Sequence, residues 1–415
     1  MSEPQNTQNT RKSAFMERLL DGVEVEWKSL GEVIQSLKTG LNPRKNFKLN
    51  TTDAKGYYVT VREIHNGNIV FHEKTDRVNN QALELINNRS TLEVGDILFS
   101  GTGTVGRTAV IESPPKNWNI KEGVYVIKPI QEIIVSKYLS HLLNSENIVQ
   151  TYIRKIVGSP VVSLPMKELK KLQLPIPPLS VQKEIVRILD TFTELTAELT
   201  AELTARKKQY SYYRDELLSF ESTKDTKSTK KVEWKTLGEV GEFRRGTAIT
   251  KKETIPGEIP VVANGPFSTY SHINYNREGE TIVIARSGAY AGYVSFWDQP
   301  IFLTDAFSIH PDYTILRPKF VYYFLQNKQQ HIHAMKKGAG VPHVRVKEFE
   351  LFAIPIPPLE EQQRIVSILD KFDTLTASIS EGLPREIALR KKQYEYYRDM
   401  LLTFPGAPGT TTGTT

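Results

Sequence analysis

The feature that most constrains this chain is an internal duplication. Three blocks recur: Val25–Val33 returns as Val232–Val240 with eight of nine residues identical, Pro175–Phe192 returns as Pro355–Phe372 with twelve of eighteen, and Arg206–Phe220 returns as Arg390–Phe404 with twelve of fifteen. Matches this dense indicate a tandem duplication. The chain should therefore fold as two copies of one structural plan.

The segments between the matched blocks have diverged. Trp27 to Pro177 spans 150 residues, whereas Trp234 to Pro357 spans only 123. Faint similarity survives between Gly95–Gly106 and Gly279–Gly292, and Gly158 and Gly338 each lie seventeen residues before a matched proline. We interpret this alternation of variable and near-constant regions as one scaffold that carries two different readers.

The variable regions have a mixed α and β pattern. Short β-rich runs lie among glycine and asparagine turns, at Ile97–Ser100, Val124–Ile127, Ile282–Ile284 and Tyr293–Phe296. Helical patterns follow them at Ser136–Asn144 and Lys319–Asn327.

The near-constant regions predict long helices. Ser180 is a candidate N-cap after Pro177 and Pro178, and beyond it apolar residues recur at steps of three and four, from Ile185 to Leu203. Without Gly or Pro between Val181 and Phe220, the helix could run about 40 residues, or roughly 60 Å. So long a stripe needs a partner helix, and the second copy is the obvious one. There, Gly382 and Pro384 predict a break or kink before Arg385.

The first of these helices contains a small repeat of its own. Thr196–Leu199 and Thr200–Leu203 both read TAEL. The repeat could be a helical stutter that only fills space. It could also be a ruler, because four helical residues add about 6 Å and roughly 40° of rotation, while one base pair of B-DNA adds about 3.4 Å and roughly a tenth of a turn.

Composition limits the chemistry. The chain has a net charge of +7 and a pI near 9.1, which suits a polyanionic partner but also occurs in many proteins without one. It contains no cysteine, which excludes disulfides and thiolate chemistry. The polar start from Met1 to Lys12 does not resemble a secretory signal, and no stretch is apolar enough to cross a bilayer, so we expect a cytoplasmic protein without membrane contact.

Motifs for catalysis are weak. Gly101–Gly106 fits the GxGxxG pattern of dinucleotide sites, but Arg107–Ile111 after it predicts a strand, where the motif needs a helix. There is no P-loop motif, and His331 and His333 are better explained as surface residues than as metal ligands. We expect no catalytic site and no metal site in this chain.

Taken together, the twice-occurring PIPPL, the twice-occurring RKKQY and YYRD, and the TAEL pair resemble the specificity subunits of Type I restriction–modification enzymes, in particular the subgroup with TAEL repeats. The resemblance covers essentially the whole chain. It implies an α+β fold in which two mixed α/β target-recognition domains are separated by two long conserved helices, packed as an antiparallel coiled coil with pseudo-twofold internal repeat.

The resemblance also implies a domain plan. Residues 1–22 form an N-terminal polar or helical segment, and 23–170 and 232–351 form the two recognition domains. Residues 171–220 form the central spacer with its TAEL repeats, 221–231 a linker, 352–404 the C-terminal spacer, and 405–415 a disordered tail.

In that family each recognition domain reads one half of a bipartite, asymmetric site in double-stranded DNA. The spacer helices set the gap and dock two modification (methyltransferase) subunits, and motor-nuclease restriction subunits complete the complex. The resemblance therefore implies a non-catalytic chain that is required for both adenine methylation and restriction. S-adenosylmethionine, ATP and Mg are expected in the partner subunits, and no cofactor in this chain.

Candidate DNA contacts follow from chemistry, because base edges and phosphates are read by Arg, Lys, hydroxyl and backbone N–H donors near flexible glycine loops. These candidates are Arg44, Lys45, Ser100, Thr102, Thr104, Arg107, Arg244, Arg245, Arg286, Ser287, Tyr290, Lys336, Lys337, His343 and Arg345. For each one, a solvated surface residue is the alternative. Candidates for the spacer and subunit-docking surface are Leu195, Leu199, Leu203, Tyr210, Tyr213, Leu375, Ile379, Tyr394 and Tyr397.

Two other functions stay open at this stage. One is a coiled-coil adaptor whose basic charge is incidental, and the other is a stand-alone DNA-binding regulator that uses its duplication in place of a dimer. Neighbouring reading frames for an adenine methyltransferase and a large ATP-dependent nuclease would exclude both.

Overall fold

The computed structural model describes residues 23–404 except Lys45, 221–231, Thr269, Ala339 and Ile379. The predictions for 1–22, 221–231 and 405–415, and those for Lys45 and Ile379, lie outside the described residues. The chain forms two compact units, each with its own apolar core. Among the described residues, unit 1 comprises 23–198 with 388–404, and unit 2 comprises 199–387.

Unit 1 is built on a four-stranded antiparallel sheet in the order β2-β10-β7-β8. The strands of the unit are β1 (Glu26–Ser29), β2 (Ile34–Thr39), β3 (Gly56–Val59), β4 (Ile64–His65), β5 (Asn68–Ile69), β6 (Arg77–Val78), β7 (Ile97–Ser100), β8 (Thr108–Val110), β9 (Trp118–Ile120), β10 (Val124–Pro129) and β11 (Gln173–Ile176). Its helices are α1 (Asn80–Arg89), α2 (Ser136–Leu143), α3 (Glu146–Ile153) and α4 (Met166–Lys170), and Leu30–Glu32 forms a 3-10 turn. Strand β7 is apolar throughout its first three residues because it is a central strand, buried on both faces.

The same plan recurs in unit 2, where the sheet order is β13-β19-β16-β17. Helix α5 (Leu179–Leu217) enters this unit from unit 1. The strands are β12 (Glu233–Thr236), β13 (Gly241–Arg245), β14 (Ile259–Val262), β15 (Ser271–His272), β16 (Glu280–Ala285), β17 (Val294–Asp298), β18 (Phe302–Leu303), β19 (Ala306–Pro311) and β20 (Ala353–Ile356). The remaining helices are α6 (Leu237–Val240), α7 (Pro318–Asn327), α8 (Gln329–Ala334), α9 (Val346–Glu350), α10 (Leu359–Thr376) and α11 (Gly382–Leu401).

The matched sequence blocks pair with each other in both units. Strand β1 pairs with β11, which places Trp27 opposite Pro175, and β12 pairs with β20, which places Trp234 opposite Pro355. A capping box follows each first strand: the backbone amides of Ser29 and Thr236 each donate at 2.7 Å to the carboxylate of a glutamate three residues later, Glu32 and Glu239. This strand pairing between the repeated blocks therefore brings the two ends of each recognition region together.

The first spacer helix agrees with the predicted length but not with the predicted cap. Helix α5 has 39 residues and begins at Leu179, so Ser180 lies inside its first turn and is not the N-cap. The amides of Val181 and Gln182 bond the Pro178 carbonyl, and so the backbone starts the helix one residue earlier. The second spacer is broken rather than straight: α10 ends at Thr376, and α11 begins at Gly382.

Gly382 explains the break. Its φ is +72°, and a Cβ at this position would lie 2.2 Å from the Thr374 carbonyl oxygen, so only glycine fits. Helix α5 begins in unit 1 and ends in unit 2, whereas the second spacer begins in unit 2 and ends in unit 1. The two spacers thus run in opposite senses, as the family resemblance implies. Among the described residues, no helix is long and apolar enough to cross a membrane.

Candidate nucleic-acid interface

The candidate binding residues cluster at one end of each four-stranded sheet. In unit 1, β2 and β7 end at Thr39 and Ser100, while β8 and β10 begin beside them. In unit 2, β13 and β16 end at Arg245 and Ala285, next to the first residues of β17 and β19. The loops that connect these strands therefore emerge together, as antiparallel topology requires.

A glycine loop leaves this end in each unit, at residues 101–107 in unit 1 and 286–293 in unit 2. Gly103 and Gly288 occupy equivalent positions, with φ of +79° and +80°. Each loop returns to its strand in the same way: the Gly106 amide donates to the Ser100 carbonyl at 2.9 Å, and the Gly292 amide donates to Ala285 at 2.8 Å. The unit 2 loop is one residue longer than the unit 1 loop. Two residues separate Gly103 from Gly106, whereas three separate Gly288 from Gly292.

A second loop, here called the tip loop, packs beside each glycine loop at residues 157–163 and 337–343. Paired backbone bonds close both tip loops, between Val157 and Ser163 and between Lys337 and His343. The amide of Gly103 donates to the Val162 carbonyl at 2.8 Å, and Gly288 donates to Pro342 at 2.9 Å. Because backbone atoms make these links, the side chains can differ between the units while the geometry stays the same.

In unit 1 the candidates divide into structural and accessible groups. Ser100 is fully buried, and its hydroxyl donates to the Thr104 carbonyl at 2.6 Å, so it shapes the glycine loop. The Thr102 hydroxyl lies 3.1 Å from that of Ser163, which joins the two loops. Thr104 is exposed, and Arg107 donates to the carbonyls of the neighbouring turn at 3.1 and 3.4 Å. Arg44 is exposed in the turn after β2.

Unit 2 presents more cationic groups at the same place. The Arg286 guanidinium is exposed, 3.9 Å from the Asp305 carboxylate, which also bonds the Ser287 hydroxyl. The Lys336 ammonium reaches the Ala289 carbonyl in the glycine loop at 3.4 Å. Tyr290 is 51% exposed. The structure thus brings the glycine-loop and tip-loop candidates of unit 2 into one patch.

The other unit 2 candidates lie around this patch. Lys337 forms a 2.6 Å ion pair with Glu348, Arg345 is exposed just after the tip loop, and the His343 ring lies 3.4 Å from the Val341 carbonyl. Arg244 and Arg245 are exposed at the end of β13, and Arg244 pairs with Glu242 at 2.6 Å.

A half-buried histidine, His310, lies in the positive potential beside Arg244. Burial lowers the pKa of His310, and the charges of Arg244 and Arg277 lower it further, to about 4. Burial, and then Arg244, also lowers the pKa of the Arg277 guanidinium. Arg277 was not singled out from the sequence, where an arginine among turn residues carries no distinguishing signal.

The predicted spacer residues are partly buried and several stack with aromatic rings. Leu195, Leu199, Leu203 and Leu375 are half-buried. Within unit 2, Tyr210 and Tyr213 stack with Phe372, with ring centroids 5.6 and 5.9 Å apart. Within unit 1, Tyr397 stacks with Phe192 at 5.0 Å, and the Tyr394 hydroxyl lies 2.9 Å from His141 Nδ1.

Sequence reasoning missed the polar contacts that seat each spacer. Lys137 pairs with Asp190 at 2.9 Å, and Lys319 pairs with Asp370 at 2.8 Å in the other unit. Burial raises the pKa of Asp190, but the hydrogen bonds from His141 and Lys137 outweigh it and leave that pKa below its usual value. Both aspartates are identical between the repeats, which was the available signal.

These observations describe a duplicated protein whose two α+β units present equivalent loop pairs with different side chains, and whose helical spacers connect the units. Within the described part of the chain, no group of three or more His, Cys, Asp or Glu residues is placed to hold a metal ion.

The model of the family described as the Type I restriction modification DNA specificity domain matches residues 22–206 and 229–389. The chain belongs to this family of specificity subunits.

Relatives and solved structures agree with this assignment. The chain is 35% identical to the Type I restriction enzyme EcoR124I/EcoR124II specificity subunit of Escherichia coli, over 94% of this chain and 97% of that protein. It is 33% identical to a putative type I restriction enzyme specificity subunit of Haemophilus influenzae, over 94% and 98%. Its fold is similar to the crystal structure of the S subunit from M. genitalium, with a TM-score of 0.60, 19% identity and coverage of 93% and 98%.

Proposed function

We propose that each unit reads one half of a bipartite, asymmetric site in double-stranded DNA. The observation that carries this proposal is the pair of loops at each sheet end, whose backbone links are the same in both units. Side chains at equivalent positions differ, such as Thr102 and Ser287, or Ser163 and His343. A fixed frame with exchangeable side chains suits direct readout, where the donors and acceptors on side chains select the bases.

The spacers would set the distance between half-sites and dock two modification subunits, with motor-nuclease subunits completing the complex. One solved structure of similar fold, with a TM-score of 0.57 and 19% identity, describes complex assembly and conformational transition of the type I R-M system. This similarity supports a role within an assembly. The chain itself would be non-catalytic. S-adenosylmethionine, ATP and Mg would act in the partner subunits, and adenine methylation and restriction would both require this chain.

Methylome sequencing tests the proposal. The chain is co-expressed with the methyltransferase encoded beside it in a host without adenine methylation, and modified adenines are mapped across the genome. The expected result is a single split motif with a fixed, unread gap. Expression of the methyltransferase alone is the control and should leave the genome unmodified. A soluble complex without sequence-specific methylation would contradict the proposal and favour the adaptor hypothesis.

A further inference from the structure

Both tip loops expose a valine at the same position. Val161 is 62% exposed and Val341 is 64% exposed, and each lies three residues after the glycine that begins its turn. The neighbouring residues differ between the units: Pro160 and Val162 in one loop correspond to Gly340 and Pro342 in the other. Packing in the core does not explain an apolar residue that is retained at an exposed position while its neighbours change.

The backbone holds both valines in place. Gly158 and Gly338 have φ of +103° and +104°, and a Cβ at these positions would lie 2.5 and 2.7 Å from the carbonyl oxygens of Val161 and Val341. Each turn therefore requires glycine and brings the valine back toward the glycine loop. A contact group that is already ordered loses little conformational entropy when it binds.

The sequence segment that contains each tip loop is basic. Residues 147–167 contain Arg154, Lys155 and Lys167 and no acidic residue. Residues 313–347 contain seven lysines and arginines and no acidic residue. Each exposed valine thus lies in a segment that phosphates would attract.

We propose that Val161 and Val341 each contact the methyl group of a thymine in the major groove, one in each half-site. This inference rests on the proposed function. A valine has no donor for phosphate, and the thymine C5-methyl is the apolar group that a base edge offers in the major groove. Apolar wedges that enter between base steps are usually longer side chains such as Phe, Leu or Met. Because both units keep the valine, this contact is common to both half-sites, and discrimination between them falls to the differing neighbours.

A double-mutant cycle with modified DNA tests the inference. The complex of the full chain with its modification subunit is titrated with a duplex that carries the mapped site, and the thymines of one half-site are replaced singly by deoxyuridine, which lacks the methyl group. Val161→Ala should weaken binding about fourfold on thymine DNA, the effect of losing roughly one buried methyl contact. On the duplex with deoxyuridine at the contacted position, the variant and the wild type should bind equally. Val341→Ala should behave likewise, but only for the other half-site.

Val157→Ala is the matched control, because Val157 is 56% exposed in the same loop but lies at its base. It should bind both duplexes like the wild type. Additive effects of Val161→Ala and of deoxyuridine on binding would overturn the inference. A half-site that contains no thymine would also overturn it. Either outcome would leave the proposed function intact. Failure of the wild-type complex to prefer the mapped site over a scrambled duplex would overturn both.

Discussion

At the scale of single residues, two buried glutamines seat the spacer helices on the units. Gln182 Nε2 donates to the carbonyls of Ile133 and Pro177 at 2.9 and 2.8 Å, and its Oε1 accepts from the Val135 amide at 2.9 Å. Gln362 makes the corresponding three bonds in unit 2. Both side chains are fully buried, so water cannot replace these bonds.

Replacing either glutamine by leucine should therefore destabilise its unit. In Gln362→Leu, one backbone N–H and two carbonyls lose their partner, and the free energy of unfolding should fall by about 2 to 4 kcal/mol. Urea unfolding followed by fluorescence measures the change. The neighbouring Gln363 is exposed, so Gln363→Leu is the matched control and should stay within about 0.5 kcal/mol of the wild type. Equal destabilisation by the two variants would show that the bonds of Gln362 contribute nothing specific.

His310 gives unit 2 a defined response to acid. Its pKa is about 4 in the folded protein, compared with about 6.5 in an unfolded chain. Between these pH values His310 is protonated in the unfolded state but neutral in the folded state. The free energy of unfolding therefore falls as the pH drops from about 6.5 to 4. His310→Gln should reduce that loss, as measured by urea midpoints at pH 7.5 and 5. The exposed His331 supplies the control variant, His331→Gln, and an unchanged pH dependence in His310→Gln would contradict the assignment.

At the scale of elements, the length of helix α5 has a direct consequence for the proposed gap between half-sites. It is a single helix through both TAEL repeats, and Leu195, Leu199 and Leu203 follow one another at steps of four. No glycine or proline interrupts it, so an added repeat should extend the helix rather than form a loop.

We expect one more Thr-Ala-Glu-Leu after Leu203 to lengthen the gap between half-sites by about one base pair, because four residues add about 6 Å and roughly 40° of helix. Both half-sites should be unchanged, since the recognition loops are untouched. Methylome sequencing of the insertion variant reads the gap directly. Deletion of Thr200–Leu203 is the converse test and should shorten the gap. An unchanged gap in both variants would rule out the ruler.

Comparison of the predicted and observed helices and strands shows which parts of this structure the sequence predicts. Apolar periodicity predicted α5 to within a few residues and the central strands at Ile97–Ser100 and Ile282–Ile284. It did not predict the start at Leu179 or the buried bonds of Gln182, because periodicity reports which face is apolar and not which polar groups meet across the fold. Two of the three partners of Gln182, Val135 and Ile133, lie 47 and 49 residues earlier in the chain. The sequence singled out Lys337 and His343 in a tip loop but neither Val161 nor Val341, since an exposed valine leaves no periodic pattern.

At the scale of the whole molecule, each unit draws its core from distant parts of the chain. The core of unit 1 includes Met400, Leu401 and Phe404 from the end of the second spacer together with strands near the start. The core of unit 2 includes Leu218 from the end of the first spacer. The repeated blocks therefore complete each unit, and the variable loops can change without disturbing either core.

This separation predicts that one half of the DNA site can be altered without the other. Arg286→Ala combined with Lys336→Ala removes two cations from the unit 2 patch. Arg286 is exposed and Lys336 is partly exposed, and neither side chain belongs to the apolar core of unit 2. The methylome of this variant should show weakened or relaxed preference at one half of the split motif only, with the other half and the gap unchanged. The control is Lys391→Ala with Lys392→Ala, two exposed lysines on α11, which should leave both half-sites as they are. Equal loss at both halves would mean that the units do not read DNA independently, and the duplication would then serve assembly rather than recognition.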